Sequence, residues 1–235
     1  MLSRTVGAAA ALLLAAAAPA QAAKIERLSR PGKTSYWAFV DRAEWARAKP
    51  STSARKVAKL TLRSPEATDD LVMVLDRTET RGRTWLRVRL PVRPNGTTGW
   101  VPASALSELQ PLSTWLRIDT RAFRITLIKG GKTVFSARVG VGQRQWPTPR
   151  GQFFIRAKLT GYGGAGSAYG PLAFITSATS PTLTDWPGGG IVGVHGTNAP
   201  GLIPGRISHG CVRLRNADIL RLAKLMPVGT PLTIT

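Results

Sequence analysis

Apolar positions along most of this chain recur at every second residue, the spacing of strands whose side chains alternate between two faces. Trp85-Leu86-Arg87-Val88-Arg89-Leu90 sets Leu86, Val88 and Leu90 on one face and Arg87 and Arg89 on the other. Leu71-Val72-Met73-Val74-Leu75 is apolar throughout and suits a buried strand. Asn95-Gly96, two residues that tolerate positive φ, predicts a hairpin turn before Thr98-Gly99-Trp100-Val101 resumes a strand. Short strands and close turns from Tyr36 to Leu109 predict a small barrel. The polar stretch Lys24 to Thr34 has no period and is expected to be a mobile leader.

A boundary falls near Pro111-Leu112-Ser113, after which strands restart at Trp115 to Asp119, Ala122 to Ile128 and Thr133 to Val141. Gly130-Gly131 between the last two reads as a two-residue hairpin. Pro147-Thr148-Pro149-Arg150-Gly151 is a rigid turn into a strand from Gln152 to Ala157. The glycine- and tyrosine-rich run from Gly161 to Gly170 suits a flexible loop, and Ile191 to Val194 is a short strand ending at His195. Near the C-terminus the period changes to that of one helix. Asn216 is its expected N-cap, Asp218 favours its positive end, and Ile219, Leu222, Ala223 and Met226 share a face before Pro227 and Gly229 stop it. The fold class is therefore mainly β, with a small barrel over 36–109 and a second β-rich domain over 114–235.

The first 23 residues change the compartment. A short positive start, an apolar run from Val6 to Ala18 and Ala20-Gln21-Ala22 have the layout of a secretory signal with its cleavage site. The run would reach only about 20 Å as a helix, short of the roughly 30 Å hydrocarbon layer, so no transmembrane anchor is expected after cleavage. A secreted, extracytoplasmic protein follows. Its formal charge of +21, from 33 Lys+Arg against 12 Asp+Glu, favours polyanions. Nucleic acid is not expected as a partner, because no recognition helix, zinc spacing or RNA-binding aromatic motif is present. Anionic cell-wall polymers fit better, with Arg87, Arg89 and Arg93 of the first module facing them. That module is expected to position rather than react, so that its removal leaves turnover of a small soluble substrate intact.

A single cysteine, Cys211, rules out an intramolecular disulfide and leaves an inert buried residue, an intermolecular pair or a reactive thiol. The only two histidines, His195 and His209, both lie shortly before it. In an extended Ser208-His209-Gly210-Cys211-Val212-Arg213-Leu214, the side chains of His209, Cys211 and Arg213 would share a face. A base and a cation beside the thiol would favour a thiolate nucleophile, and Gly210 would leave room for a substrate backbone or turn a peptide N–H toward an oxyanion. Zinc could use His195, His209 and Cys211, but no further Cys or His completes a structural set.

The stretch Ser208 to Leu214, with His195-Gly196 upstream and Thr148-Pro149-Arg150-Gly151-Gln152-Phe153, resembles the L,D-transpeptidases with the YkuD-type catalytic domain, over about Ser113 to Thr235. Trp85-Leu86-Arg87-Val88 and Gly99-Trp100-Val101-Pro102 resemble a bacterial SH3-like domain. The first resemblance implies that Cys211 attacks a peptidoglycan stem peptide at meso-diaminopimelate, expels D-alanine and passes the acyl group to a neighbouring amine as a 3→3 cross-link. It implies no metal or organic cofactor. It also puts the proton acceptor at His195, which geometry favours as well. Side chains two apart on one strand run parallel about 6.5 Å apart, whereas a histidine on another strand can point across at the sulfur. His209, Gly210 and Cys211 are expected to shape an oxyanion site. Arg213 would support the anion or a substrate carboxylate, and Ser208 and Gly196 would complete the substrate-binding surface. Rival readings are an envelope carboxypeptidase or cysteine peptidase passing the acyl group to water, and a non-catalytic wall-binding protein.

Overall fold

A computed structural model describes residues 24–161, 166–184 and 189–235. The expected signal, 1–23, lies outside the described residues, as does part of the expected loop from Gly161 to Gly170. Among the described residues eighteen strands form two sheets and one α-helix accompanies them, a mainly β architecture.

The first sheet holds β1 (Glu26–Arg27), β2 (Ser35–Phe39), β3 (Glu44–Arg47), β4 (Lys56–Leu60), β5 (Leu71–Thr80), β6 (Arg83–Arg89), β7 (Thr98–Pro102) and β8 (Gln110–Leu112). Its order is β4-β3-β7-β6-β5-β2-β8, with β1 pairing on β5. The leader is thus ordered, contrary to expectation. β1 pairs with Asp76 and Arg77, and the Leu28 and Ser29 amides donate to the Leu75 carbonyl. Ser29 is buried because its hydroxyl donates to the Val74 carbonyl and accepts from the Tyr36 amide at 2.8 Å. Asn95-Gly96 sits in the β6–β7 connection as expected, with Gly96 at φ 88°.

The second sheet contains β9 (Thr114–Asp119), β10 (Arg124–Lys129), β11 (Lys132–Arg138), β12 (Gly140–Gly142), β13 (Gly151–Thr160), β14 (Leu172–Thr179), β15 (Ile191–His195), β16 (Gly205–Ser208), β17 (Val212–Arg213) and β18 (Pro231–Ile234). They run β11-β10-β9-β18-β13-β14-β15-β17-β12-β16. Gly130 and Gly131 turn the β10–β11 hairpin at φ 56° and 78°. The inward residues of alternating strands, among them Leu116, Ile118, Ile125, Leu127 and Phe174, build one core closed by helix α1 (Asn216–Leu225) through Ile219 and Leu222. Arg215, not Asn216, is the helix N-cap, in an extended conformation and without a side-chain cap bond. Asn216 is used elsewhere: its Oδ1 accepts from the Thr197 amide at 2.9 Å, tying the helix start to the chain after His195.

The sheets meet along β5 and β13. Val72 and Val74 face the core of the first sheet, while Leu71, Met73 and Leu75 turn outward onto Phe154. That double covering is why this strand reads as an unbroken apolar run. β13 is used in the same way, with Phe153 and Ile155 in the second core and Phe154 and Arg156 toward the seam. Arg156 makes two hydrogen bonds to Asp70, of 2.8 and 2.9 Å, with both side chains almost out of water. Further along, Asn95 donates to the Thr179 carbonyl at 2.7 Å and accepts from the Thr179 amide at 3.0 Å. Arg93 donates to the Ser180 and Leu183 carbonyls. Arg87 pairs with Asp76. Arg87 and Arg93 therefore have partners within the molecule while remaining partly exposed. Removing the first sheet would also uncover Phe154 and strip Arg156 of its acid.

Candidate active site

The site lies where β15 and β17 run parallel, with Val194 opposite Val212 and His195 opposite Arg213. The Leu214 amide donates to the His195 carbonyl at 2.8 Å and extends this pairing past the strand end. Residues paired in register present their side chains on one side of the sheet, so His195 and Arg213 share a face.

The stretch from Ser208 to Cys211 is not the extended run expected. After β16 the chain bends at His209 and Gly210, and Gly210 takes φ +117°, a value that strains residues with a side chain. Several hydroxyl contacts hold the bend. Ser208 Oγ donates to the Cys211 carbonyl at 2.6 Å and accepts from the Gly210 amide at 3.2 Å. Thr148 Oγ1 donates to the Gly210 carbonyl and accepts from the Gly142 amide, each at 2.8 Å. His209 is consequently thrown to the surface, where its ring packs on Trp146 at 4.1 Å between centroids. It does not share a strand face with Cys211.

Cys211 and His195 meet around Gly193. The Gly193 amide donates to Cys211 Sγ at 3.4 Å. A side-chain carbon at Gly193 would touch both that sulfur and the His195 ring, at 3.9 and 3.7 Å. His195 is buried, with 3% of its surface exposed, and its Nδ1 lies 2.6 Å from the Gly196 carbonyl. A carbonyl only accepts, so Nδ1 carries the hydrogen and Nε2 is left as a lone-pair base. Tyr169 stacks on the same imidazole, with centroids 5.0 Å apart. Gly196 is small for a packing reason, since a Cβ there would come within 2.4 Å of Asn216 Oδ1.

The protonation states differ from the expected thiolate. Burial lowers the His195 pKa from 6.5 to about 4; the Gly196 carbonyl opposes this and the Arg213 charge reinforces it. Burial also raises the Cys211 thiol above its ordinary value, outweighing the Gly193 amide and Arg213, which act to lower it. The resting pair is a neutral imidazole beside a neutral thiol. Arg213 is half-buried and its Nε lacks a hydrogen-bond partner among the described residues. No group of three or more His, Cys, Asp or Glu side chains among the described residues is gathered as a metal cage.

Residues 113–234 match the L,D-transpeptidase catalytic domain of YkuD type. This chain belongs to that family. Over 126 residues it is 32% identical to a putative L,D-transpeptidase YkuD of Bacillus licheniformis, covering 50% of this chain and 68% of that one. A stretch of 42 residues is 57% identical to a probable L,D-transpeptidase YbiS of Escherichia coli, covering 18% of this chain and 14% of that protein. Among solved structures, an L,D-transpeptidase from Mycobacterium tuberculosis aligns over 91% of this chain and 80% of its own at 14% identity, with a TM-score of 0.46. In this L,D-transpeptidase domain the structure brings Cys211, His195 and Arg213 of the expected residues together and leaves His209 at the surface, while the parts played by Gly193, Tyr169 and Asn216 were not foreseen. Tyr169 had a signal in its glycine-rich run. Gly193 and Asn216 had none, because their roles depend on strands far apart in the chain.

Proposed function

We propose that this protein is a peptidoglycan L,D-transpeptidase of the cell envelope that forms 3→3 cross-links through a Cys211 thioester. The observation that carries the reading is the gathering of Cys211 Sγ and the buried His195 ring around Gly193. Because both groups rest neutral, His195 Nε2 acts as a general base that takes the thiol proton as sulfur attacks the diaminopimelate carbonyl. The Cys211 amide, which follows the Gly210 kink, supports the developing oxyanion. Collapse breaks the amide bond, and the proton on His195 goes to the departing D-alanine amine. An amine of a second stem then attacks the thioester, gives its proton to His195 and releases the thiol. Arg213 steadies the anion or a substrate carboxylate. Ser208 and Thr148 hold the bend, and His209 lines its outer rim. Within this reading 114–235 is the catalytic domain and 36–109 an SH3-like module that meets anionic wall polymers.

The decisive experiment incubates the purified protein with a tetrapeptide stem and follows products by mass spectrometry. D-Alanine release with a cross-linked dimer is expected, and Cys211→Ala should retain less than about a hundredth of the rate. D-Alanine release with tripeptide alone would replace transpeptidation by carboxypeptidation. No turnover at all would remove the enzymatic reading.

A further inference from the structure

Away from Cys211 the two sheets leave a cavity of about 420 Å³ between the β1–β2 segment, β5, β6 and β13. In the order of the second sheet its β13 and β18 walls are separated from β15 by β14. Among the described residues three guanidinium groups line it, those of Arg27, Arg30 and Arg89, and no acidic residue does. Met73, Leu75 and Phe153 supply an apolar wall.

Arg89 is the informative member. The nearby carboxylate, Asp76, is already engaged by Arg87 and more distantly by Arg27 at 3.9 Å. Arg89 Nε is buried without a hydrogen-bond partner among the described residues. Burial, and then repulsion from Arg87, lower its pKa. A buried donor left unsatisfied costs free energy, and more so on a charged group. The planar guanidinium fork is matched by a carboxylate or a phosphate.

We propose that this cavity is a second binding site, which takes a small amphiphilic oxyanion: a carboxylate or phosphate held by Arg89 and Arg30, with its apolar body against Met73, Leu75 and Phe153. The site is independent of the transpeptidase chemistry, and its test does not require turnover.

The test titrates the full-length protein with hexyl phosphate and with hexanoate by calorimetry, using hexanol and inorganic phosphate as controls. Saturable binding of one or both anions is expected, stronger than either control, and weakened at least about tenfold in Arg89→Gln and in Arg30→Gln. The two anions distinguish a phosphate-bearing from a carboxylate-bearing ligand. Cys211→Ala should bind like the wild type. Thermal unfolding without ligand supplies a second readout: Arg89→Gln should melt at or above the wild-type temperature, because it relieves an unpaired buried charge. Equal binding of hexanol, no saturable binding by either anion, or a lower melting temperature for Arg89→Gln that marks a structural role would each overturn the proposal.

Discussion

Two regions of this molecule bury charge-bearing groups and treat them in opposite ways. At the seam between the sheets, Arg156 and Asp70 are both nearly out of water and satisfy each other through two hydrogen bonds. At the bend beside β15, the burial of His195 and Cys211 keeps both groups neutral, and the neighbouring cation, Arg213, has no acidic partner among the described residues. At the seam a displaced Arg156 would leave two desolvated ions unpaired. In the proposed mechanism the bend keeps charge away until the reaction creates it. Stability and chemistry therefore draw on burial for different ends, and each can be removed without the other.

The largest effect should come from the catalytic side. His195→Gln should lower the alkylation rate of Cys211 by iodoacetamide at neutral pH by at least about a hundredfold, within the usual range for losing a general base. His209→Ala, which removes an exposed ring packed on Trp146, should spare more of the rate. Both variants should keep wild-type unfolding midpoints to within a small margin at pH 7. A greater loss in the His209 variant would exchange the two assignments.

On the seam side the roles reverse. Asp70→Ala leaves Arg156 as a buried, unpaired cation and should destabilise the protein by about 3–5 kcal/mol in urea unfolding. Alkylation of Cys211 below the transition should be little changed. Replacing both partners by apolar residues, Asp70→Leu with Arg156→Met, should recover most of that loss. A single-variant cost under about 1 kcal/mol would mean that water reaches the pair and that the seam is looser than its burial indicates.

How far these two regions could be read from the sequence follows from their range. The strands of both sheets were legible because alternation is local: Leu86, Val88 and Leu90 went inward as their spacing required. Cys211 and its two histidines stood out as rare residue types close together. The seam was not legible, because Asp70 and Arg156 are unremarkable until β5 and β13 are brought face to face. The ordering of the leader was hidden for the same reason, since the pairing of Glu26 and Arg27 with Arg77 and Asp76 is non-local. The bend at His209-Gly210 was misread as a strand because a period of two is indistinguishable from a turn over so few residues. One of the contacts that hold it, from the Thr148 hydroxyl, comes from 62 positions earlier.

The smallest effect is a pH dependence that separates the two regions again. His195 is neutral in the folded protein down to about pH 4, whereas in the unfolded chain it takes a proton near 6.5. Between those values the unfolded state binds more protons than the native state, so stability rises with pH across that window. His195 therefore costs nothing above about pH 7, destabilises the fold progressively as pH falls through the window, and adds no further loss below pH 4. At pH 5 the loss should be roughly 2 kcal/mol, from a lag of about 1.5 pH units at 1.36 kcal/mol each. Urea unfolding of the wild type and of His195→Gln at pH 7 and pH 5 isolates it. The difference in stability between the two proteins should shift by that amount in favour of the variant at pH 5. An unchanged difference for His195→Gln would mean that water or a proton reaches the imidazole in the folded protein. In that case the neutral thiol–imidazole pair would have to give way to a preformed thiolate.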